Sequence, residues 1–165
     1  HNDDPVELLP LEMATRVEMN IFKLREFIKL AHKWHAEHMR LRIFLRSVGS
    51  VTFSRVVYSF VGDADYAESF CNPVSKDEDG SLYCVADGES TPEDPDGGER
   101  REEELHFEGV FGIDRIDAFI KIIPTKKLYC DVAQDMPFMC THNLGDGTRT
   151  DSVIYFVTAP INDVD

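Results

Sequence analysis

The first periodic pattern in the chain runs from about residue 11 to residue 38, and its spacing is helical. Apolar residues recur there at intervals of three and four, namely Met13, Val17, Ile21, Leu24, Ile28 and Ala31. Lysines and arginines fall mostly between these positions, so the pattern has one apolar and one basic side. It predicts a long N-terminal amphipathic helix packed on a sheet, with a membrane-surface or partner helix as the alternative.

The next pattern, "RLRIFLRSV" (40–48), alternates between apolar and basic residues. One face carries Leu41, Ile43 and Leu45, and the other carries Arg40, Arg42 and Arg46. This period of two predicts a strand that ends at Gly49–Ser50.

Shorter segments follow with weaker signals. The apolar runs 81–86, 118–123, 127–133 and 152–159 are typical of strands, and "PTKK" joins the second and third runs into a predicted hairpin. Segment 52–61 favours a helix over a strand, "GDAD" (62–65) caps a predicted short helix through residue 70, and 105–112 predicts a short helix or turn. Residues 135–150 are typical of a loop.

Three segments lack the composition of a packed core. Residues 1–10 predict a flexible lead-in. Residues 87–104 carry nine acids and two arginines, which predicts a disordered acidic loop because little apolar surface is available to offset the cost of ordering the backbone. A single domain is therefore expected over 11–157, followed by an extended tail over 158–165.

The charge of the chain is strongly negative and unevenly spread. The net charge is −14, although residues 16–55 hold nine Lys/Arg and three Asp/Glu. An acidic chain repels phosphate backbones, so no nucleic-acid partner is expected. No run is long and apolar enough to span a bilayer, so no membrane span is expected either.

Four cysteines, Cys71, Cys84, Cys130 and Cys140, occur without a CxxC pair. This spacing disfavours a zinc site and indicates two disulfides formed in an oxidising, secretory compartment. The sequence does not choose among the three pairings. Pairing Cys71 with Cys84 and Cys130 with Cys140 requires only local loop closure.

Other candidate chemistry is weak. His32, His35 and His38 follow one another at intervals of three on the predicted helix, which is not the i, i+4 spacing of a helical zinc pair. A solvent-facing helix end is the simpler interpretation. Neither "DEDG" (77–80) nor "GDGTRTD" (145–151) has the pattern of a calcium loop. No catalytic fingerprint occurs, and no metal or cofactor is predicted.

The segment 65–85 carries motifs in an order that resembles one enzyme family. Tyr66-Ala67-x-x-Phe70 is followed by Asn72, Ser75 and Gly80-x-Leu82, and later by Phe107-x-x-x-Phe111 and "FIKIIPTKKLYCDV". This order resembles the parvulin-type peptidyl-prolyl isomerases, with "RLRIFL" as the first strand. The resemblance implies an α+β fold, in which helices pack on a parvulin-like antiparallel sheet.

The residues that would carry isomerase chemistry are absent. The family's first histidine falls near Arg42 or Ile43, and its second falls at Cys130, after the aromatic Tyr129. Its loop cysteine or aspartate falls at Pro73. The sequence therefore predicts a degenerate, non-catalytic scaffold.

An acidic, cysteine-stapled chain of this kind resembles the secreted parvulin-like microneme proteins of apicomplexan parasites. That resemblance implies a secreted protein, directed through a microneme, which inhibits a subtilisin-like protease by mimicking its prodomain. The partner would be the protease, and the protein would be a monomer. The alternatives are a divergent prolyl isomerase and an adhesion or scaffold module.

The tail is the predicted contact with the protease. Proline fixes its own φ angle and disfavours helix in the residue before it, so the tail is expected to be extended and able to pair with a strand of the protease cleft. The predicted contact residues are Thr158, Ala159, Pro160, Ile161, Asn162, Asp163, Val164 and Asp165.

Overall fold

The computed structural model describes residues 15–61, 67–76, 82–86, 103–123, 126–134, 136, 138–143 and 152–158. Its helices are α1 (Ile21–Lys33) and α2 (Ile113–Ile120). Its strands are β1 (Thr15–Asn20), β2 (His38–Val48), β3 (Val51–Val61), β4 (Ala67–Pro73), β5 (Ser75–Lys76), β6 (Leu82–Val85), β7 (Glu104–Gly112), β8 (Lys127–Val132), β9 (Phe138–Asn143) and β10 (Ser152–Thr158).

The strands form two sheets. Sheet A has the order β10-β9-β8-β1-β6-β5, and sheet B has the order β4-β3-β2-β7. The pair β1–β6 is parallel, and every other described pair is antiparallel. The long β2–β3 hairpin turns at Gly49, whose φ of 63° suits a residue without a Cβ.

Two strand–helix–strand units link the sheets and lock into each other. One runs β1-α1-β2 and the other β7-α2-β8, so each starts in one sheet and ends in the other. The first amide of α1, on Ile21, donates to the carbonyl of Lys126 at 2.8 Å, and that of α2, on Ile113, donates to Glu37 at 3.0 Å. The start of α1 is therefore held by the residue just before β8, and the start of α2 by the residue just before β2.

Local signals set both ends of α1. The Asn20 side chain accepts hydrogen bonds from the amides of Phe22 and Lys23, which caps the helix start. At the other end His35 has a φ of 59°, and its amide and that of Ala36 donate back into the last turn. This left-handed residue ends the helix in a Schellman motif.

The core lies between the inner faces of the sheets and is filled by both helices. Phe27 of α1 meets the ring of Tyr58 edge-on at 4.8 Å and that of Phe60 at 4.7 Å. From sheet A, Val17, Met19 and Leu128 are fully buried. One apolar cluster therefore joins residues of both sheets.

The predicted α+β fold, a parvulin-like antiparallel sheet with packed helices and a long N-terminal helix, is wrong. The described residues form mostly strands, with two short helices. Residues 15–20 form β1, because Val17 and Met19 alternate toward the core, and the helix begins only after Asn20. It ends at Lys33. The predicted lead-in and the first positions of the predicted helix lie outside the described residues.

Several shorter predictions also fail. Segments 52–61 and 105–112 lie in β3 and β7, residues 67–70 are strand, and residues 138–143 form β9 in place of a loop. The predicted hairpin over 118–133 is wrong because residues 118–120 end helix α2. The strands predicted at 40–48, 81–86, 127–133 and 152–159 are confirmed by β2, β6, β8 and β10. The acidic loop lies outside the described residues, apart from Glu103 and Glu104.

Candidate functional site

The predicted protease-contacting tail begins where the last strand ends. Thr158 is the final residue of β10, and residues 159–165 lie outside the described part of the chain. Among the described strands, β10 pairs only with β9, which places it at an edge of sheet A. Strand β10 therefore ends at an edge of sheet A, next to backbone groups that have no strand partner among the described residues.

The register of β10 changes close to its end. Ser152 to Phe156 pair regularly with Asn143 to Met139, and a shift then places Thr158 opposite Phe138. An irregularity of this kind bends the strand locally. An edge strand can be extended by another chain through main-chain hydrogen bonds.

The cysteines occupy different surroundings, and none of the four is in a disulfide bond. Neither predicted disulfide is formed. Cys84 is fully buried in the core on β6. Cys71 lies on β4 of the other sheet, beside Asn72, whose side chain reaches inward to the Val85 carbonyl at 2.9 Å. Because neighbouring residues of a strand point to opposite faces, Cys71 faces away from Cys84.

Cys130 and Cys140 are cross-strand neighbours on β8 and β9, with their sulfurs 3.9 Å apart. Both are fully buried, and Cys130 also contacts the Met19 sulfur at 3.6 Å. Burial raises the pKa of the Cys140 thiol well above its ordinary value, and raises the pKa of Cys84 to about 11. The Cys140 and Cys84 thiols therefore stay protonated at neutral pH and are poor nucleophiles.

The positions matched to the isomerase residues form no accessible site. Ile43 and Cys130 are fully buried in the core, and Arg42 lies on the opposite face of sheet B from Ile43. Tyr129 lies on the opposite face of sheet A from Cys130. These four side chains do not converge on one pocket.

The histidine series does not form a ligand set. His32 is in the last turn of α1 and lies 3.4 Å from the Asp117 carboxylate, His35 lies in the turn after the helix, and His38 begins β2. The prediction that all three histidines lie on one helix is therefore wrong. The described residues contain no group of three His, Cys, Asp or Glu side chains arranged to hold a metal ion.

A polar network covers the outer face of sheet A. Arg16 donates two hydrogen bonds of 2.9 Å to Asp131, and both residues are nearly buried. The Tyr83 hydroxyl donates to the Glu18 carboxylate at 2.8 Å, and Lys127 lies 3.3 Å from the same oxygen. Burial, then the Glu18 carboxylate, raises the pKa of Tyr83, so its phenol stays a donor and not a base. The network stabilises the pairing of β1, β6 and β8.

The outer face of sheet B is basic. Arg40 and Arg42 lie on it, since Met39, Leu41 and Ile43 between and beside them are fully buried on the inner face. Arg55 of β3 stacks its guanidinium 4.4 Å from the Phe44 ring centre. The alternation in the sequence identified this arginine row on β2. It missed Arg55, because segment 52–61 favoured a helix.

No helix among the described residues is long and apolar enough to cross a membrane. Comparison with known proteins gives no match, either to a protein-family model or to a curated protein.

Proposed function

We propose that this protein is a secreted, non-catalytic regulator that inhibits a subtilisin-like protease by mimicking its prodomain. The observation that carries the proposal is the position of β10, the last described strand, at the edge of sheet A. A tail that follows an edge strand can stay extended and bind in the cleft of a neighbouring protein. Subtilisin prodomains use such a tail, which leaves their last strand and lies in the protease cleft.

The sequence of the tail supports the same mode of binding. Pro160 fixes φ near the extended range and disfavours helix at Ala159. An extended segment pairs with a cleft strand through its backbone, while alternate side chains fill pockets. The proposal therefore assigns affinity to the main chain and specificity to alternate residues such as Ile161 and Asp163.

The surroundings of Cys130 and Ile43 support a binding role over isomerase catalysis. Cys130 is enclosed in the core and Ile43 is apolar, so neither can exchange a proton with a bound substrate. A proline-peptide isomerisation assay tests the enzymatic alternative directly. Secretion through a microneme belongs to this proposal because the resemblance implies it.

The test is inhibition of a subtilisin-like protease by the intact chain and by a version that ends at Val157. A matched control keeps the tail length and composition but scrambles residues 159–165. We expect inhibition by the intact chain alone. Inhibition by the scrambled version would assign the effect to tail charge, and inhibition by all three would move the contact to the folded surface. Inhibition by none of them would overturn the proposal.

A further inference from the structure

The outer face of sheet B carries two closely spaced arginines, in a chain of net charge −14. The Nε atoms of Arg40 and Arg42 are buried and have no hydrogen-bond partner among the residues that the structure describes. Neither guanidinium forms an ion pair with a described residue. Glu108 lies directly opposite Arg42 on β7, yet the two side chains are not paired.

These arginines lie on an apolar platform. Val57 is opposite Arg42 on β3, and Val110 is opposite Arg40 on β7. Both valines are on the outer face of the sheet, but they are only 4% and 8% exposed. The long arginine stems cover apolar surface while their charged ends remain at the surface. The charged ends are thereby held in a limited set of positions.

The same face already holds one carboxylate. Arg55 donates hydrogen bonds of 2.8 and 3.1 Å to the two oxygens of Glu103, and the Phe44 ring supports the Arg55 guanidinium from the other side. The Glu103 side chain is 8% exposed. The Arg55–Glu103 pair shows that an arginine on this face can bind a carboxylate through two hydrogen bonds beside an apolar side chain.

We propose that the outer face of sheet B is a docking surface for an extended acidic peptide segment of a partner protein. Arg40 and Arg42 are two residues apart on one strand, so they repeat at about 7 Å. An extended peptide presents alternate side chains at the same spacing. Carboxylates at alternate positions would therefore pair with the two arginines at once. This inference does not depend on protease inhibition.

The measurement is binding of a fluorescent synthetic peptide in which Glu and Thr alternate, at low ionic strength, to the intact chain. The comparison peptides replace Glu by Gln, or keep the composition with the glutamates adjacent to one another. We expect the alternating peptide to bind most tightly, and salt to weaken the binding. Equal binding of the adjacent-acid peptide would overturn the match in spacing.

Substitutions distinguish binding at these arginines from long-range electrostatic attraction by the protein as a whole. Arg40→Gln/Arg42→Gln is expected to weaken binding by about tenfold. The matched control Lys29→Gln/Arg115→Gln removes the same charge at exposed positions on α1 and α2 and should leave binding unchanged. Arg42→Lys keeps the charge but loses the planar fork, and should give an intermediate loss. Unchanged thermal unfolding of each variant confirms its fold.

Four results would overturn the proposal. The first is no binding of the peptide by the intact, folded chain. The second is an equal loss in the control double variant. The third is tighter binding of an RNA or heparin oligomer, which would assign the face to a different polyanion. Binding that appears only when the acids of residues 87–102 are neutralised would assign the face to the chain's own segment and also overturn an external partner.

Discussion

Arg16 and Asp131 face each other across β1 and β8, and two hydrogen bonds of 2.9 Å join the guanidinium to both carboxylate oxygens. Their side chains are 8% and 12% exposed. Removing one member of a buried pair leaves an uncompensated charge, which costs about 3–5 kcal/mol. Arg16→Met should lower the free energy of unfolding by that amount in a urea titration.

An exposed ion pair, Lys121–Asp117, is the control for the Arg16–Asp131 pair. Lys121 lies 3.3 Å from Asp117 with its side chain 70% exposed, so Lys121→Met should cost no more than about 0.5 kcal/mol. The double variant Arg16→Met/Asp131→Leu should be more stable than Arg16→Met alone, because no charge is left unpaired. A small cost for Arg16→Met, similar to that of Lys121→Met, would show that the pair is not buried as described.

His35 is an exposed residue with a φ of 59° at the end of α1. The left-handed conformation is unfavourable for a side chain with a Cβ, and glycine adopts it without that cost. His35→Gly should therefore raise the free energy of unfolding by about 0.5–1 kcal/mol. His32→Gly, inside the same helix, is the control and should be destabilising. A helix that extended through residue 38 would make both substitutions destabilising.

Gly109 leaves room for the rings on either side of it in β7. A Cβ at this position would lie 2.8 Å from ring atoms of Phe107 and of Phe111, which are both in the core. Gly109→Ala should therefore cost about 1–3 kcal/mol through overpacking. Gly112→Ala is the matched control, since nothing lies within 4 Å of its Cβ position. Equal thermal midpoints for the two variants would contradict this packing.

Thiol reactivity tests two claims, that the cysteines form no disulfide and that three of them are buried. In the native chain only the half-buried Cys71 should react with a thiol reagent such as DTNB, because the other three thiols are buried. The chain unfolded in guanidinium without reductant should titrate four thiols. No reactive thiol after unfolding would instead establish the two disulfides that the sequence predicts.

Alkaline pH should weaken the fold through the buried thiols of Cys84 and Cys140. Burial raises the pKa of Cys84 from 9.0 to about 11, and that of Cys140 moves in the same direction. The folded state therefore keeps a proton that the unfolded state loses. This contribution to stability is complete below pH 9.0 and is lost as pH rises toward 11. Unfolding titrations should show the decline, and Cys84→Ala should reduce its slope.

The sequence predicted strands best where the period of two was unambiguous. Strand β2 followed directly from its alternation of apolar residues with arginines. Strand β7 did not, because Phe107 and Phe111 are also i, i+4 and fit a helix. Residues 15–20 were misassigned for the same reason, since Val17 and Ile21 are four apart while Val17, Met19 and Ile21 also alternate.

Capping and long-range pairing account for most of the remaining errors. The helical spacing of Ile113, Ile116 and Ile120 is consistent with α2. The apolar run 118–123 overlaps the end of this helix and favoured a strand instead. Asn20 is an N-cap residue type and marks the true helix start, but the apolar spacing of three and four continues on both sides of it. The edge position of β10 and the Arg55–Glu103 pair depend on contacts between distant segments, which local patterns do not encode.

The most direct test of the central claim is the inhibition constant of the intact chain for a subtilisin-like protease, measured beside the version that ends at Val157. Loss of several main-chain hydrogen bonds to the cleft should raise the constant by about a hundredfold. That result, with unchanged unfolding of the shortened chain, would support prodomain mimicry through the tail. Equal constants, or no inhibition by the intact chain, would contradict it.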